Sequence, residues 1–294
     1  MKIVVLGAGA IGTLYGAWLS AANDVTLVAR QEHVDRIASD GVRITGLEEA
    51  IYPVKAITRV RAIERNTVVL LTTKVTGSEA AIRPIVDLVA ADTTIVCLQN
   101  GLHSEDIVAG LIGNRCLVVR GITHFGAIFT APGVVALKAS GHTLLAPSAR
   151  SRDIAQTLTA GRLDGRVCDT MKEEIWRKLI FNCVVNPLTA MTRMEVGWIS
   201  DERLNPLKRL IIDECLQVAR RDGITLDVDF LQLVNDTFRP SRNLSSMHQD
   251  LLNGKRTEID YLNGAVVELG RQYGIGCPVN ESLTRMVKAL EQRT

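Results

Sequence analysis

The sequence predicts an α/β chain in which a Rossmann-type domain with a parallel sheet precedes an all-helical C-terminal domain. Short apolar runs alternate with helical patterns through the first half of the 294 residues, as in parallel sheets that are covered on both faces. A glycine-rich turn follows the first apolar run. From about residue 169 onward we find helical patterns and no convincing strand, so we predict domains over residues 1–168 and 169–294.

Each predicted strand of the first domain is a short run of apolar and β-branched residues bounded by turn residues. These strands cover Lys2–Leu6, Asp24–Val28, Val42–Thr45, Ile51–Ala56, Val68–Thr72, Thr94–Leu98, Cys116–Ala127, Gly133–Lys138 and His142–Ala146. Between them, apolar residues at helical spacing predict helices over about Ala10–Ala22, from near Gln31, and over about Gly77–Ala90.

The second domain is predicted to be helical because its apolar residues recur at intervals of three and four. Asp201 and Asp227 are typical helix-start residues, and Gly223 and Gly274 are typical stops. The predicted helices cover Met171–Met191, Asp201–Asp222, Asp227–Thr237, Thr257–Tyr273 and Asn280–Gln292.

Composition and charge argue against several classes of protein. The chain has 34 lysines and arginines and 32 aspartates and glutamates, and its net charge of +2 gives no reason to expect nucleic acid or an anionic membrane as a partner. No apolar run is long enough to span a bilayer. The start MKIVVLGAG does not resemble a secretory leader, so we expect a cytoplasmic protein. The six cysteines include no Cys-x-x-Cys pair and the five histidines show no paired ligand spacing, which predicts free thiols and no metal site.

The glycine-rich turn follows the strand KIVVL directly and opens an amphipathic helix, which is the context that a dinucleotide-binding turn needs. Its residues are Gly7, Ala8, Gly9, Ala10, Ile11 and Gly12. Gly7 allows the tight turn, Gly9 allows the backbone to approach a pyrophosphate, and Gly12 allows close packing of helix against strand. The helix N-terminus then favours the phosphates. The alternative is a strand–turn–helix with a structural role alone.

The residue at the end of the second strand predicts which dinucleotide binds. A site specific for NAD would place an acidic residue there to bind the ribose hydroxyls. The strand VTLVA ends instead at Arg30, and Ala29 occupies the position where an acid is expected. A guanidinium suits a 2′-phosphate, so we predict NADP(H). The alternative is an arginine that faces solvent at the start of a helix.

Two more strands are followed by polar residues. Lys74 follows VVLLT, and Asn100 follows TIVCL. Ligands of open α/β sheets bind beyond the carboxyl ends of the strands, which makes both residues candidate contacts of cofactor or substrate. Ordinary loop polarity is the alternative.

A stripe of polar residues crosses the otherwise apolar segment WRKLIFNCVVNPL. Lys178, Asn182 and Asn186 recur every four residues, which places them on one face of a helix. Buried polar groups are costly unless they have partners, so this stripe predicts the wall of a pocket. The alternative is a lysine that extends to water and two amides that cap neighbouring loops.

With these residues identified, the whole chain resembles the ketopantoate reductase (2-dehydropantoate 2-reductase) family. The resemblance begins at VLGAGAIG, continues through TTK and QNG, and is strongest at WRKLIFNCVVNPLTA and NLSSMHQDLLNGKRTEIDYLNG. It implies reduction of a 2-oxo acid with NADPH. It also implies that Lys178 donates a proton to the substrate carbonyl, that Asn182 and Asn186 contact substrate, and that Asn100 contacts both cofactor and substrate.

Three further residues have roles only by this resemblance. Ser246 is implied to bind substrate through its hydroxyl, and Ala127 to contact NADP through its backbone. Glu258 is implied to be a carboxylate near the lysine on the cofactor side. Helical spacing within TEIDY instead predicts that Glu258 is an exposed helix charge.

The chain departs from the family at one position. Val196 aligns where family members often have another substrate-binding asparagine, which puts recognition of the pantoyl hydroxyl in question. An opine-type or other hydroxy-acid dehydrogenase therefore remains an alternative, as does an NADPH-binding sensor without catalysis. The sequence leaves open whether the chain forms a homodimer.

Overall fold

The computed structural model describes residues 1–291, and the chain within it divides into two units. Unit 1 comprises Met1–Gln99 and His103–Met171. Unit 2 comprises the short segment Asn100–Leu102 and the described chain from Lys172 onward. The side chain of Leu102 lies in the hydrophobic core of unit 2, which explains why this segment belongs with the helices.

Unit 1 contains all the strands that the described residues form. They are β1 Lys2–Leu6, β2 Asp24–Val28, β3 Val42–Gly46, β4 Ala50–Tyr52, β5 Lys55–Ile57, β6 Val68–Leu71, β7 Thr94–Cys97, β8 Leu117–Thr123, β9 Gly126–Ala131, β10 Val134–Ala139, β11 Thr143–Leu145 and β12 Gly165–Val167. Its helices are α1 Ala10–Ser20, α2 Gln31–Asp40, α3 Ser78–Ile82, α4 Ser104–Ile112 and α5 Ser151–Ala160.

The main sheet has eight strands in the order β12-β11-β8-β7-β6-β1-β2-β5. Its central strands are parallel and buried along their whole length, as expected for apolar runs covered on both faces. The predicted α/β class is therefore confirmed. The sheet is not entirely parallel, because β11 returns beside β8 in the antiparallel direction without a crossover helix.

A second sheet of four strands, in the order β4-β3-β10-β9, corrects two of the predicted strands. The predicted strand Ile51–Ala56 is two strands, β4 and β5, which flank Pro53 and join different sheets. The predicted strand Cys116–Ala127 is likewise β8 in the main sheet and the start of β9 in the second. An apolar run does not reveal where a chain leaves one sheet for another.

The helices of unit 1 also differ from the sequence prediction. The predicted helix Gly77–Ala90 is the short helix α3 between 3₁₀ turns at Val75–Gly77 and Arg83–Ile85. Pro84 lies in the second of these turns and has no backbone N–H for an α-helical hydrogen bond. Helices α4 and α5 were not predicted.

Unit 2 consists of helices and loops within the described residues. The helices are α6 Met171–Thr192, α7 Asn205–Arg221, α8 Phe230–Phe238, α9 Ser246–Leu252, α10 Asn263–Gln272 and α11 Pro278–Glu291. Short 3₁₀ turns lie at Val196–Ser200, Glu202–Leu204 and Ile259–Tyr261. The predicted helix Thr257–Tyr273 thus begins only at Asn263, and α9 was not predicted. The last residue of the predicted final helix, Gln292, lies outside the described residues.

The length and composition of the helices show whether any of them could span a membrane. Within residues 1–291, none of them is both long enough and apolar enough to cross a bilayer. The six cysteines form no disulfide within the described residues.

Candidate functional site

The glycine turn of unit 1 is shaped by its neighbours at two positions and open at a third. Gly7 has a φ of +100°, and a Cβ there would lie 2.7 Å from the Thr73 backbone nitrogen. A Cβ on Gly12 would overlap the Gly7 carbonyl oxygen. A Cβ on Gly9 would meet nothing within 4 Å. The turn is therefore tightly packed at Gly7 and Gly12 and leaves open space at Gly9, as a phosphate-binding turn requires.

The N-terminus of α1 completes this turn. Gly9 occupies the N-cap position, and no side chain caps the helix. The first N–H groups of an α-helix have no partner within the helix, and they carry the positive end of its dipole. Ala10 and Ile11 thus belong to a backbone arrangement suited to an anion, whereas the backbone N–H of Ala8 donates to the Val28 carbonyl at 3.1 Å.

A buried histidine that is not among the predicted site residues supports the turn. The backbone N–H of Gly133 donates to His33 Nδ1 at 2.8 Å, so the ring proton lies on Nε2, which is 3.1 Å from Thr13 Oγ1. That hydroxyl donates to the Ala8 carbonyl at 3.1 Å. The β9–β10 turn, α2 and the glycine turn are therefore linked through one imidazole. A lone histidine carries no sequence signal for such a link.

We expect this imidazole to make the stability of the protein depend on pH. Burial lowers the pKa of His33 from its usual value of 6.5. Unfolding then takes up a proton below about pH 6.5, so the contribution to stability is complete above that pH and falls as the pH drops toward the folded-state pKa. The loss approaches about 1.4 kcal/mol per pH unit for a full proton. Denaturant unfolding of the wild type and of His33→Gln between pH 5 and 7.5 checks this, because the variant should lose less free energy of unfolding as the pH falls. Equal slopes would contradict it.

Three predicted cofactor contacts lie elsewhere on unit 1. Arg30 is exposed directly before α2. Lys74 is half-buried and precedes the turn Val75–Gly77. Ala127 is half-buried in β9 opposite Leu137, so it belongs to the second sheet and not to the end of a strand of the main sheet.

Gln99 joins the loops that follow β6 and β7, and it is not among the predicted site residues. Its buried amide nitrogen donates to the carbonyls of Thr73 at 3.0 Å and Lys74 at 3.2 Å, and to Ser78 Oγ at 2.8 Å. The neighbouring strands end in register, with Leu71 beside Cys97. The motif QNG contained the signal, but only its asparagine was interpreted.

In unit 2, α6 carries the predicted polar stripe. The helix is continuous from Met171 to Thr192, so Lys178, Asn182 and Asn186 share a face as predicted. Asn186 is buried, and Lys178 and Asn182 are half-buried.

Asn100 and Glu258 form a hydrogen bond across 158 residues of sequence. The amide of Asn100 donates to Glu258 Oε2 at 3.1 Å. Glu258 is only 6% exposed and immediately precedes the 3₁₀ turn Ile259–Tyr261, so the exposed helix charge expected from spacing is wrong. Gly101 has a φ of +83°, and a Cβ there would overlap the Tyr261 carbonyl oxygen. A glycine is therefore required beside Asn100 for this approach.

The same hydrophobic core supports both groups of polar residues. Leu102 and Ile259, which are close in sequence to Asn100 and Glu258, lie in one cluster with Leu179 of α6. Unit 2 thus holds the polar stripe and the Asn100–Glu258 pair on a common core.

Two adjacent serines have different surroundings at the start of α9. Ser245 is buried, where its hydroxyl accepts from the His248 backbone N–H at 3.2 Å and from Thr189 Oγ1 of α6 at 2.8 Å. Ser246 is exposed as the first residue of the helix. Ser245 therefore anchors this segment to α6, while the exposed Ser246 is accessible to a ligand.

The side chain of Val196 lies in the core of unit 2 and is 5% exposed. Its backbone N–H donates to the Asn243 carbonyl at 2.8 Å. An asparagine here would bury an amide among apolar side chains, which is costly without a partner.

Comparison with known proteins identifies the family. Residues 3–150 match the family model of ketopantoate reductase PanE/ApbA, and residues 170–291 match the model of its C-terminal part. The chain is 34% identical to a 2-dehydropantoate 2-reductase of Pyrococcus horikoshii over 99% of this chain and 98% of that protein. A 2-dehydropantoate 2-reductase of Archaeoglobus fulgidus is 30% identical, with the same coverage of both chains.

Solved structures are similar over the whole chain. A PanE/ApbA family ketopantoate reductase from Ralstonia eutropha JMP134 has a TM-score of 0.92 at 29% identity, and the match covers 100% of this chain and 99% of that one. D-mandelate dehydrogenase in its ternary structure with NADH and anilino(oxo)acetate has the same TM-score at 28% identity and the same coverage. Since the two family models together cover nearly all of the sequence, the chain belongs to the ketopantoate reductase PanE/ApbA family.

Proposed function

We propose that this protein is an NADPH-dependent reductase that converts a 2-oxo acid to a 2-hydroxy acid, with 2-dehydropantoate as its substrate. The observation that carries the proposal is the buried pair of Asn100 and Glu258. It shares a core with the helix that presents Lys178 and two asparagines. Relatives that are 30–34% identical over their whole length are named for this reaction.

The dinucleotide fits the residues of unit 1. The space above Gly9 and the uncapped start of α1 suit a pyrophosphate, and the exposed Arg30 suits a 2′-phosphate. Lys74 and the backbone at Ala127 are proposed as further contacts. When it is bound, NADPH supplies the hydride.

The residues of unit 2 are proposed to supply the proton and the orientation. A carbonyl carbon that accepts a hydride leaves negative charge on its oxygen, which must be neutralised at once. Lys178 donates a proton to that oxygen. Asn182, Asn186 and the Ser246 hydroxyl orient the substrate by hydrogen bonds. Asn100 is proposed to contact both cofactor and substrate, and Glu258, which accepts its hydrogen bond, to be the carboxylate near Lys178 on the cofactor side.

Arg30→Ala is expected to lower kcat/KM with NADPH by about 10- to 150-fold and to change kcat/KM with NADH little. The range corresponds to about 1.5–3 kcal/mol for a hydrogen bond to a charged group, which only the 2′-phosphate offers here. Steady-state kinetics with both dinucleotides measures it. Arg36→Ala is the matched control, since Arg36 is an exposed arginine of α2, the helix that Arg30 precedes, and pairs with Asp40. Equal losses with NADPH and NADH would show that Arg30 does not read the 2′-phosphate.

A second candidate, an NADH-dependent dehydrogenase for aromatic 2-hydroxy acids, has a specific observation in its favour. D-mandelate dehydrogenase with NADH resembles this chain as closely in fold as the ketopantoate reductase does.

One comparison of rates separates the candidates. We expect 2-dehydropantoate with NADPH to give the highest kcat/KM among four combinations of 2-dehydropantoate or benzoylformate with NADPH or NADH. A maximum for benzoylformate with NADH would favour the second candidate. Binding of NADPH without turnover of any 2-oxo acid would instead indicate a sensor.

A further inference from the structure

The helix that carries the polar stripe contains a proline in its interior. Pro187 directly follows Asn186, and α6 continues through it to Thr192. Proline has no backbone N–H, so the carbonyl four residues earlier, that of Cys183, cannot have its usual helical partner. Cys183 is fully buried, where a carbonyl without a partner costs stability.

Asn263 supplies the missing hydrogen bond. Its side-chain nitrogen lies 3.0 Å from the Cys183 carbonyl oxygen and donates to it. Asn263 is fully buried, and its nitrogen also donates to Asn280 Oδ1 at 2.8 Å. The side-chain amide of Asn263 therefore donates the hydrogen bond to the Cys183 carbonyl that the backbone of Pro187 cannot donate.

The second bond of Asn263 leads to a fixed anchor. The amide nitrogen of Asn280 donates to Glu214 Oε2 at 2.7 Å. The Glu214 carboxylate also accepts the backbone N–H groups of Val279 at 2.8 Å and Asn280 at 2.9 Å, at the start of α11. A carboxylate at a helix N-terminus is favourable. Asn263 is thus held in one orientation by a buried chain that ends on α7.

Asn263 also ends the segment that begins at Glu258. The 3₁₀ turn Ile259–Tyr261 lies between them, and the Glu258 carbonyl accepts the Tyr261 N–H at 2.9 Å. One end of this short segment is bonded to Asn100, and the other end is bonded to α6 between Asn182 and Asn186.

We propose that Asn263 is a positioning residue for the reduction. By pairing with the carbonyl that Pro187 leaves without a partner, it holds the Glu258 segment and the polar stripe of α6 in one fixed register. The expected effect on kcat rests on the proposed reductase activity. The expected effect on stability rests on the hydrogen bonds alone.

The test is a double-variant comparison of Asn263→Ala and Pro187→Ala. An alanine at 187 restores the backbone N–H, so the Cys183 carbonyl regains a helical partner without Asn263. We expect Asn263→Ala alone to lower kcat with 2-dehydropantoate and NADPH by about 10- to 100-fold, because small displacements of reacting groups have effects of this size. On a logarithmic scale, adding Pro187→Ala should recover at least a third of the fall in kcat. The kcat of Pro187→Ala alone should stay within about threefold of the wild-type value.

Asn280→Ala is the matched control. Asn280 is an equally buried asparagine of the same chain of hydrogen bonds, but it does not contact the Cys183 carbonyl. Because Asn263 can still reach the Cys183 carbonyl in this variant, alanine at 187 should recover less of its loss of activity than it recovers for Asn263→Ala. A loss from Asn263→Ala that Pro187→Ala leaves unchanged would overturn the inference. Should Asn263→Ala not fold, the double variant decides: recovery of a folded protein supports the inference, and an unfolded double variant overturns it.

Thermal unfolding separates this inference from the proposed function. Asn263→Ala is expected to lower the Tm by about 3–9 °C with proline at 187 and by clearly less with alanine there. This comparison needs no substrate. Rescue of the Tm in a protein that reduces no 2-oxo acid would support the hydrogen-bond assignment and reject the reductase activity. An equal fall in Tm in both backgrounds would overturn the assignment whatever the activity.

Discussion

Lys178→Ala is expected to lower kcat with 2-dehydropantoate by about 10²- to 10⁴-fold, the range for removal of a general acid. The reason is that the reduced carbonyl oxygen needs a proton, and the polar stripe of α6 presents one ammonium beside two amides. The affinity for NADPH should change little, since the glycine turn and Arg30 belong to unit 1. Steady-state kinetics and dinucleotide titration measure the two effects.

Lys172→Ala is the matched control for this prediction. Lys172 is an exposed lysine of the same helix and pairs with Asp222 at 3.1 Å, so its loss should leave kcat nearly unchanged. A small amine added to Lys178→Ala should restore part of the activity. If folded Lys178→Ala kept near-normal turnover, the proton would have to come from another group, and Lys178 would be a lysine that extends from the core to water.

The second large effect is expected at Glu258. Glu258→Ala should lower kcat/KM by about 10- to 150-fold, since it removes a buried carboxylate that accepts a hydrogen bond from Asn100. Glu258→Gln separates the role of the negative charge from the role of holding Asn100. Its amide oxygen can still accept from Asn100 but has no charge, so recovery in this variant would mean that Glu258 acts only by holding Asn100.

The control for Glu258 is Glu268→Ala on α10. Glu268 is exposed and pairs with Arg271 at 3.0 Å, and a surface ion pair of this kind contributes little to stability or activity. We expect rates within about twofold of wild type, as for a surface substitution. Full activity in a folded Glu258→Ala would remove this carboxylate from the proposed mechanism.

The features that could be predicted from the sequence depend on residues close together in it. Strand β1, the glycine turn and α1 follow one another within twenty residues, and each has a local signature. The polar stripe of α6 follows from helical geometry alone, because a spacing of four keeps Lys178, Asn182 and Asn186 on one face. Local periodicity was sufficient for these elements.

Long-range packing decided the rest. Strand β3 pairs with β10, with Arg43 beside Val134, and nothing in either run indicates that both leave the main sheet. Spacing alone placed Glu258 on an exposed helix face, whereas its burial requires Gly101 to lie against Tyr261 and Asn100 to reach the carboxylate. His33 and Asn263 likewise act through partners at least 17 residues away. Periodicity reports which face of an element is apolar, but only the folded chain brings together donors and acceptors that are distant in sequence, and a buried polar group is stable only where they meet.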